Sequence, residues 1–225
     1  MKQVTGTREE PRWHAAIAVV IALLLYVTLP PKLTFGPLWL VPLMTLALMV
    51  PLLIFSPYRH QETQWQRILS IVLIIIINLA NIVSVILLVF SLVVPHQHTK
   101  SATGTQLILS AAQIWLTNIL VYGLWFWEID GGGPDVRAHT VLAHRSYKPD
   151  FAFPQMLMPD RMASLDPAWK PRFLDYVFVS FTNATAFSPT DTFPLSQAAK
   201  LLFMGEAVTA LVTIAVIAGR AVNIL

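Results

Sequence analysis

The 225-residue chain contains no cysteine, which removes thiol nucleophiles, thiolate metal sites and disulfides at a stroke. Charge is scarce as well. Fifteen Lys and Arg against twelve Asp and Glu make only 12% of the residues, about half of what a soluble domain carries. The basic residues form no run or stripe, so a pI near 9.3 does not point to nucleic acid. Catalytic signatures are missing too: there is no H-E-x-x-H, no G-x-S-x-G and no phosphate-binding glycine loop. Neither His96 and His98 nor His139 and His144 stand at ligand spacing with a carboxylate, so neither metal nor cofactor is expected.

What is abundant is grease. Apolar types reach 56%, more than a soluble globule of this size can bury while covering itself with polar atoms. The composition therefore predicts an all-α integral membrane protein, multi-pass in the cell membrane, with the lipid bilayer as its first partner. A bilayer core about 30 Å thick needs around 20 apolar residues in a helix. Five stretches approach that length: 13–29, 38–55, 68–94, 105–127 and 195–217. The first follows Lys2, Arg8 and Arg12 like a signal peptide. It is long for one, however, and ends at Pro30-Pro31-Lys32 without a small-residue cleavage site, so it reads as a retained helix. Pro42 and Pro51 lie inside the second stretch and predict a kink.

Residues 128–171 read differently, as a long aqueous loop with a short helix expected near 159–168. The triple glycine at 131–133 reads as a flexible turn. Beyond the loop, 173–187 is apolar but too short to cross, and it breaks into Ser188-Pro189-Thr190-Asp191 before the last full stretch. A short apolar helix, a polar break and then a span is the pattern of a re-entrant segment; a helix lying at the interface is the alternative. The expected fold is thus five transmembrane helices plus one re-entrant helix before the last. It divides into an N-terminal three-helix region, 1–104, and a second module, 105–225.

Polar side chains recur at helical spacing within the apolar stretches: Gln106, Ser110, Gln113 and Thr117 with Asn118; Asn78, Asn81 and Ser84; and Glu206, Thr209 and Thr213. Such stripes must avoid lipid, either by gluing helices together or by lining a pore. Glu206 is the only carboxylate in its span. It marks a functional site, unless it pairs with Lys200 one and a half turns earlier. An intramembrane enzyme would need acid and base groups at depth, and Asp175 and Asp191 would have to converge on Glu206 to supply them. A non-enzymatic role is the expectation.

The stretch 173–185, F-L-D-Y-V-F-V-S-F-T-N-A-T, resembles the pore helix of tetrameric potassium channels and their pore-loop relatives. Without a gap, Thr185, Ala186, Phe187, Ser188, Pro189, Thr190, Asp191 and on to Pro194 fall on that family's T-V-G-Y-G-D-x-x-P filter. Lys200 and Glu206 then stand where many two-helix pore domains carry a basic residue and a Glu. The resemblance covers 173–220, makes 105–127 the outer helix and 195–220 the inner one, and gives the first three helices no counterpart. It implies a homo-oligomer, four-fold by resemblance only, that passes monovalent cations, with Glu206, Thr209 and Thr213 as pore-lining positions.

Both filter glycines are replaced, by Ser188 and Thr190, with Pro189 between them. Residues with a Cβ resist the left-handed dihedrals of a stacked carbonyl ladder, so potassium selectivity does not carry over. A weakly selective cation pore follows, or a non-conducting assembly protein that keeps the fold. The charge count conflicts with the family. Five spans place eleven Lys and Arg on the side of the long loop against three opposite, which makes that side cytoplasmic. Potassium channels insert their pore loop from outside.

Overall fold

The computed structural model describes residues 12–55, 64–93, 104–137, 148–158 and 169–222. The expected helix at 159–168 and all four loop histidines lie outside the described residues. Six long helices dominate: α1 (Trp13–Val27), α2 (Leu40–Phe55), α3 (Gln64–Val93), α4 (Gly104–Ile129), α5 (Phe173–Ala186) and α6 (Gln197–Val222). Three contain stretches long and apolar enough to cross a membrane: Gln64–Ser91, Thr105–Gly132 and Gln197–Gly219. The first two helices are apolar but shorter.

α2 runs unbroken through Pro51. Pro42 falls in its first turn, where a missing N–H leaves no intrahelical bond unmade. α6 begins two residues later than the apolar run suggests, because Ser196 Oγ accepts from the Ala199 N–H at 3.2 Å and caps it there.

α4 is the hub, packed against α1, α3, α5 and α6. α1 lies antiparallel to it, with Ala15–Leu23 beside Leu124 and Val121 at one end and Thr28 accepting from Gln113 at the other. α3 is antiparallel as well: Leu73 and Ile74 share a cluster with Leu124, and Leu88 one with Leu107 and Ala111.

α5 takes a path of its own. Its Tyr176 meets Asp130 just past the end of α4. Val177 Cα lies only 3.1 Å from where a Cβ on Gly123 would be. Next, Ser180 donates to the Ile119 carbonyl and Phe181 packs edge-on against Trp115. The helix therefore descends along α4 for about 21 Å, to the level of Trp115, near the middle of α4. There it stops, and Phe187 caps it in the left-handed region at φ 55°, its N–H donating to the Asn183 carbonyl at 2.8 Å.

The chain then turns back to the end it came from. A two-residue strand β1 (Phe151–Ala152) pairs antiparallel with β2 (Phe193–Pro194), Phe151 opposite Pro194 and Ala152 opposite Phe193. Asp150, next to β1, is bonded to Asp130 and Gly131 beyond α4. The six residues 187–192 reach about 20 Å when extended, enough to climb back what α5 descended.

Parts of 128–171 are buried. Phe151 is 0% exposed, and Phe153 and Ala152 are buried with it. Phe151 packs between Phe126, Phe203 and Tyr176 at ring distances of 5.2, 5.8 and 6.2 Å. Phe153 stacks edge-on against Tyr176 and Trp169. These rings wedge the top of α5 between α4 and α6.

Candidate functional site

The residues singled out by sequence gather around α5, in two buried polar groups and one exposed tip. The first group is a clasp at the α5 N-terminus. Asp130 is 0% exposed. Its Oδ2 accepts from the Tyr176 hydroxyl at 2.6 Å and its Oδ1 from the Asp150 N–H at 2.7 Å. Asp150 returns the bond, Oδ2 accepting from the Gly131 N–H at 2.8 Å. Arg137 Nη1 donates to the carbonyls of Trp127 and Asp130, and its guanidinium lies 5.2 Å over the Tyr176 ring.

The triple glycine makes this closure possible. Gly131, Gly132 and Gly133 all take positive φ (57°, 88° and 103°), conformations that residues with a Cβ adopt only with strain. It is a shaped turn rather than the flexible one expected. Asp175 completes the α5 start, Oδ2 accepting from the Arg172 N–H at 2.6 Å. Burial pushes its carboxyl above the usual carboxylate range, with the Arg172 N–H and guanidinium pulling the other way.

The second group lies two turns deeper. Glu206 is 0% exposed, and its two carboxyl oxygens meet α5: Oε1 contacts Ser180 Oγ, and Oε2 accepts from Asn183 Nδ2 at 2.8 Å. The second N–H of that amide goes to the Phe203 carbonyl at 3.0 Å. Ser180 has one proton and two acceptors in reach, Glu206 and the Ile119 carbonyl at 2.8 Å. Both contacts close as hydrogen bonds only when the second proton comes from the carboxyl group.

From Glu206 a weaker chain continues across the bundle. Asn118 donates to the Glu206 carbonyl at 3.5 Å, and Asn81 donates to Asn118 at 3.4 Å.

Glu206 therefore does not pair with Lys200. Six residues along a helix leave the two side chains about 120° apart around it, Glu206 facing inward and Lys200 exposed. Asp175 and Asp191 do not converge on Glu206 either: the first caps α5 and the second lies among Thr190 and Thr192. Most of the remaining hydroxyls bond within their own helix. Ser110, Thr117, Thr209 and Thr213 each donate to the carbonyl four residues back. Glu206 and Thr213 face inward and Thr209 is half-buried, while the open face of α6 carries Leu201, Met204, Val208 and Leu211.

The tip holds the filter-like residues. Thr185, Ala186, Phe187, Ser188, Pro189, Thr190 and Asp191 are all exposed, and Thr192 is buried. Among the described residues the only non-glycine with positive φ is Phe187, so the backbone at Ser188 and Thr190 keeps to ordinary dihedrals.

Comparison with protein-family models, curated proteins and solved structures gives no significant match. The site is therefore judged by its own geometry. Sequence reasoning missed Asp130, Arg137, Asp150 and Tyr176 as a set. One signal was there to use: an acidic residue leading into G-G-G-P, followed by an Arg within a turn. Ser180 and Asn183 lay three apart on the buried face of α5, the spacing that lets both reach one partner.

Proposed function

We propose that the chain is a channel-like membrane protein of the cell membrane. All five long helices other than α5 are embedded, α5 dips partway in, and copies assemble around the α5 tips to pass monovalent cations with weak selectivity. The observation that carries this reading is the tip. Residues 187–191 are non-helical and exposed, and they start at the level of mid-α4, about 16 Å below the aromatic belt of Trp125 and Trp127, before climbing back. Irregular backbone at hydrocarbon depth is tolerated only against protein or water. Ser188, Thr190 and Asp191 thus need neighbouring copies, an aqueous vestibule, or both.

A ring of Asp191 carboxylates would favour cations over anions, and the absence of a carbonyl ladder argues against potassium selectivity. One observation favours a silent assembly protein of the same fold: beyond Lys200 the exposed face of α6 carries Leu201, Met204, Val208 and Leu211, where an inner helix would offer polar lining.

Planar-bilayer recording of the purified chain in sodium, potassium and choline chloride, with its mass in detergent from light scattering, separates these readings. We expect an oligomeric mass, a sodium and potassium conductance of similar size, and cation preference that falls in Asp191→Asn. An oligomer silent in every salt leaves only the assembly reading. A silent monomer defeats both.

A further inference from the structure

The Glu206 carboxyl group is fully buried, and the elements packed around it bring it neutral partners. From α5 come the Ser180 hydroxyl and the Asn183 amide. α4 brings Asn118, which donates to the Glu206 carbonyl, and Tyr122, whose hydroxyl oxygen lies 3.0 Å from where a Cβ on Gly205 would be. α3 brings Asn81, bonded to Asn118, and the buried side-chain oxygen of Asn78. On α6 itself Lys200 is exposed on another face, and Thr209 donates to the Gly205 carbonyl. The charged groups of the clasp, Asp130, Asp150 and Arg137, gather about Tyr176 one turn up α5, while Asp191 lies beyond the opposite end of that helix. Among the described residues no Lys, Arg or His bonds to Glu206.

The bonding pattern depends on one proton. As the neutral acid, Glu206 donates to Ser180 Oγ, leaves the serine proton for the Ile119 carbonyl and still accepts from Asn183. A single chain of bonds then ties α6 to α5 and α5 to α4. A carboxylate can only accept. Ser180 must then turn its one proton to Glu206 and abandon Ile119, and an anion is left buried with no cation beside it. Water is close by, because Asn183 stands one turn from the exposed residues 187–191.

We propose that Glu206 is a proton-binding site that latches α5. With the proton bound, the lower half of α5 is seated against α4 and α6. Its release unseats that half and opens the tip end of the helix to water. The step is an acid dissociation: the carboxyl O–H breaks, its electron pair stays on the carboxylate, and the proton leaves to water entering from the tip. The seated form holds the proton, so raising the pH works against seating. The latch works within one chain and needs neither a pore nor a second copy.

The chain has no cysteine, so a single introduced thiol reports on one position. Ala184 is 0% exposed on α5, next to Asn183, and Ser188 is exposed at the tip. The full chain in detergent, carrying Ala184→Cys or Ser188→Cys, is labelled with a maleimide from pH 6 to pH 9. The Ser188→Cys rate corrects for the reagent's own pH dependence. The corrected rate at position 184 should rise about tenfold over that range, and should stay level when Glu206→Gln is added. Infrared spectra at pH 6 should show a carboxylic-acid carbonyl band that Glu206→Gln removes. If Ala184→Cys does not fold, hydrogen exchange of residues 180–187 in the wild type and in Glu206→Gln gives the same comparison. A level rate in the wild type, an equal rise in the Gln background, or no such band at pH 6 overturns the latch.

Discussion

The two halves of the molecule are held together by different means. α1, α2 and α3 meet their neighbours through Ala, Val, Leu and Ile, with few polar contacts between elements: Gln113 to Thr28, Asn81 to Asn118, and the Phe35 N–H to the Tyr26 hydroxyl. The region from α4 to α6 is laced by buried hydrogen bonds between residues 20 to 88 positions apart. A helix that crosses a bundle satisfies its own backbone, so apolar packing is enough to seat it. α5 ends partway along α4, and its chain must turn there and return. Side-chain partners at defined depths are what fix such a segment, because lipid supplies no hydrophobic drive between helices.

If that contrast is right, the clasp should be the costliest place to cut. Asp130→Ala removes the buried carboxylate that accepts from both the Tyr176 hydroxyl and the Asp150 N–H. The expected loss is about 3–4 kcal/mol, or roughly 10 °C in the unfolding midpoint in detergent. A matched apolar truncation in the first half, Leu73→Ala, should cost less, about 2–3 kcal/mol. Equal losses would erase the distinction between the halves.

Glu206 gives the next largest effect and the sharper one. In Glu206→Gln the amide oxygen still accepts from Asn183 and the amide N–H donates to Ser180 Oγ, freeing the serine proton for Ile119. Stability should hold within about 0.5 kcal/mol. Glu206→Leu strands one N–H of the buried Asn183 amide, while Ser180 keeps Ile119 and Asn183 keeps Phe203, and should cost about 1–3 kcal/mol. Gln behaving as badly as Leu would mean that charge, rather than the donor and acceptor pattern, seats α5. A smaller effect is expected at the α4–α5 contact: Gly123→Ala places a Cβ 3.1 Å from Val177 Cα and should cost about 1–2 kcal/mol as the helices separate.

Much of this was legible in the sequence. Three long apolar runs and the stop at Ser188-Pro189 are local features, and the helices follow them closely. The α5 boundary follows from the polar break at Ser188-Pro189, whose proline ring disfavours helical geometry in the residue before it. What was not legible was pairing at a distance. Asp130 and Tyr176 are 46 residues apart, and their meeting depends on the three positive-φ glycines and on the depth α5 reaches. Glu206 invited a pairing with Lys200 because sequence distance hides rotation. The burial of Phe151 and Phe153 was equally hidden, since two apolar residues flanked by Pro149 and Pro154 carry no period to read.

The finest test lies at the start of α5. The Asp175 carboxyl titrates higher in the folded chain than in the unfolded one. Its contribution is therefore fully present below the unfolded value of about 3.9 and is lost as pH rises through the folded value. Stability from this group thus falls with rising pH across the acid range, opposite to the usual salt-bridged aspartate. Asp175→Asn keeps an oxygen to accept from the Arg172 N–H and removes the titration. The variant should match the wild type at low pH and equal or slightly exceed it near neutrality, by less than about 1 kcal/mol, with the difference opening as pH rises above 4. Unfolding midpoints of the two chains measured from pH 3.5 to 7 would show it. A wild type that instead gains on the variant with rising pH would mean that the Arg172 contact outweighs burial, and that the α5 entrance is held by charge, unlike the donor and acceptor pattern that holds its deeper end.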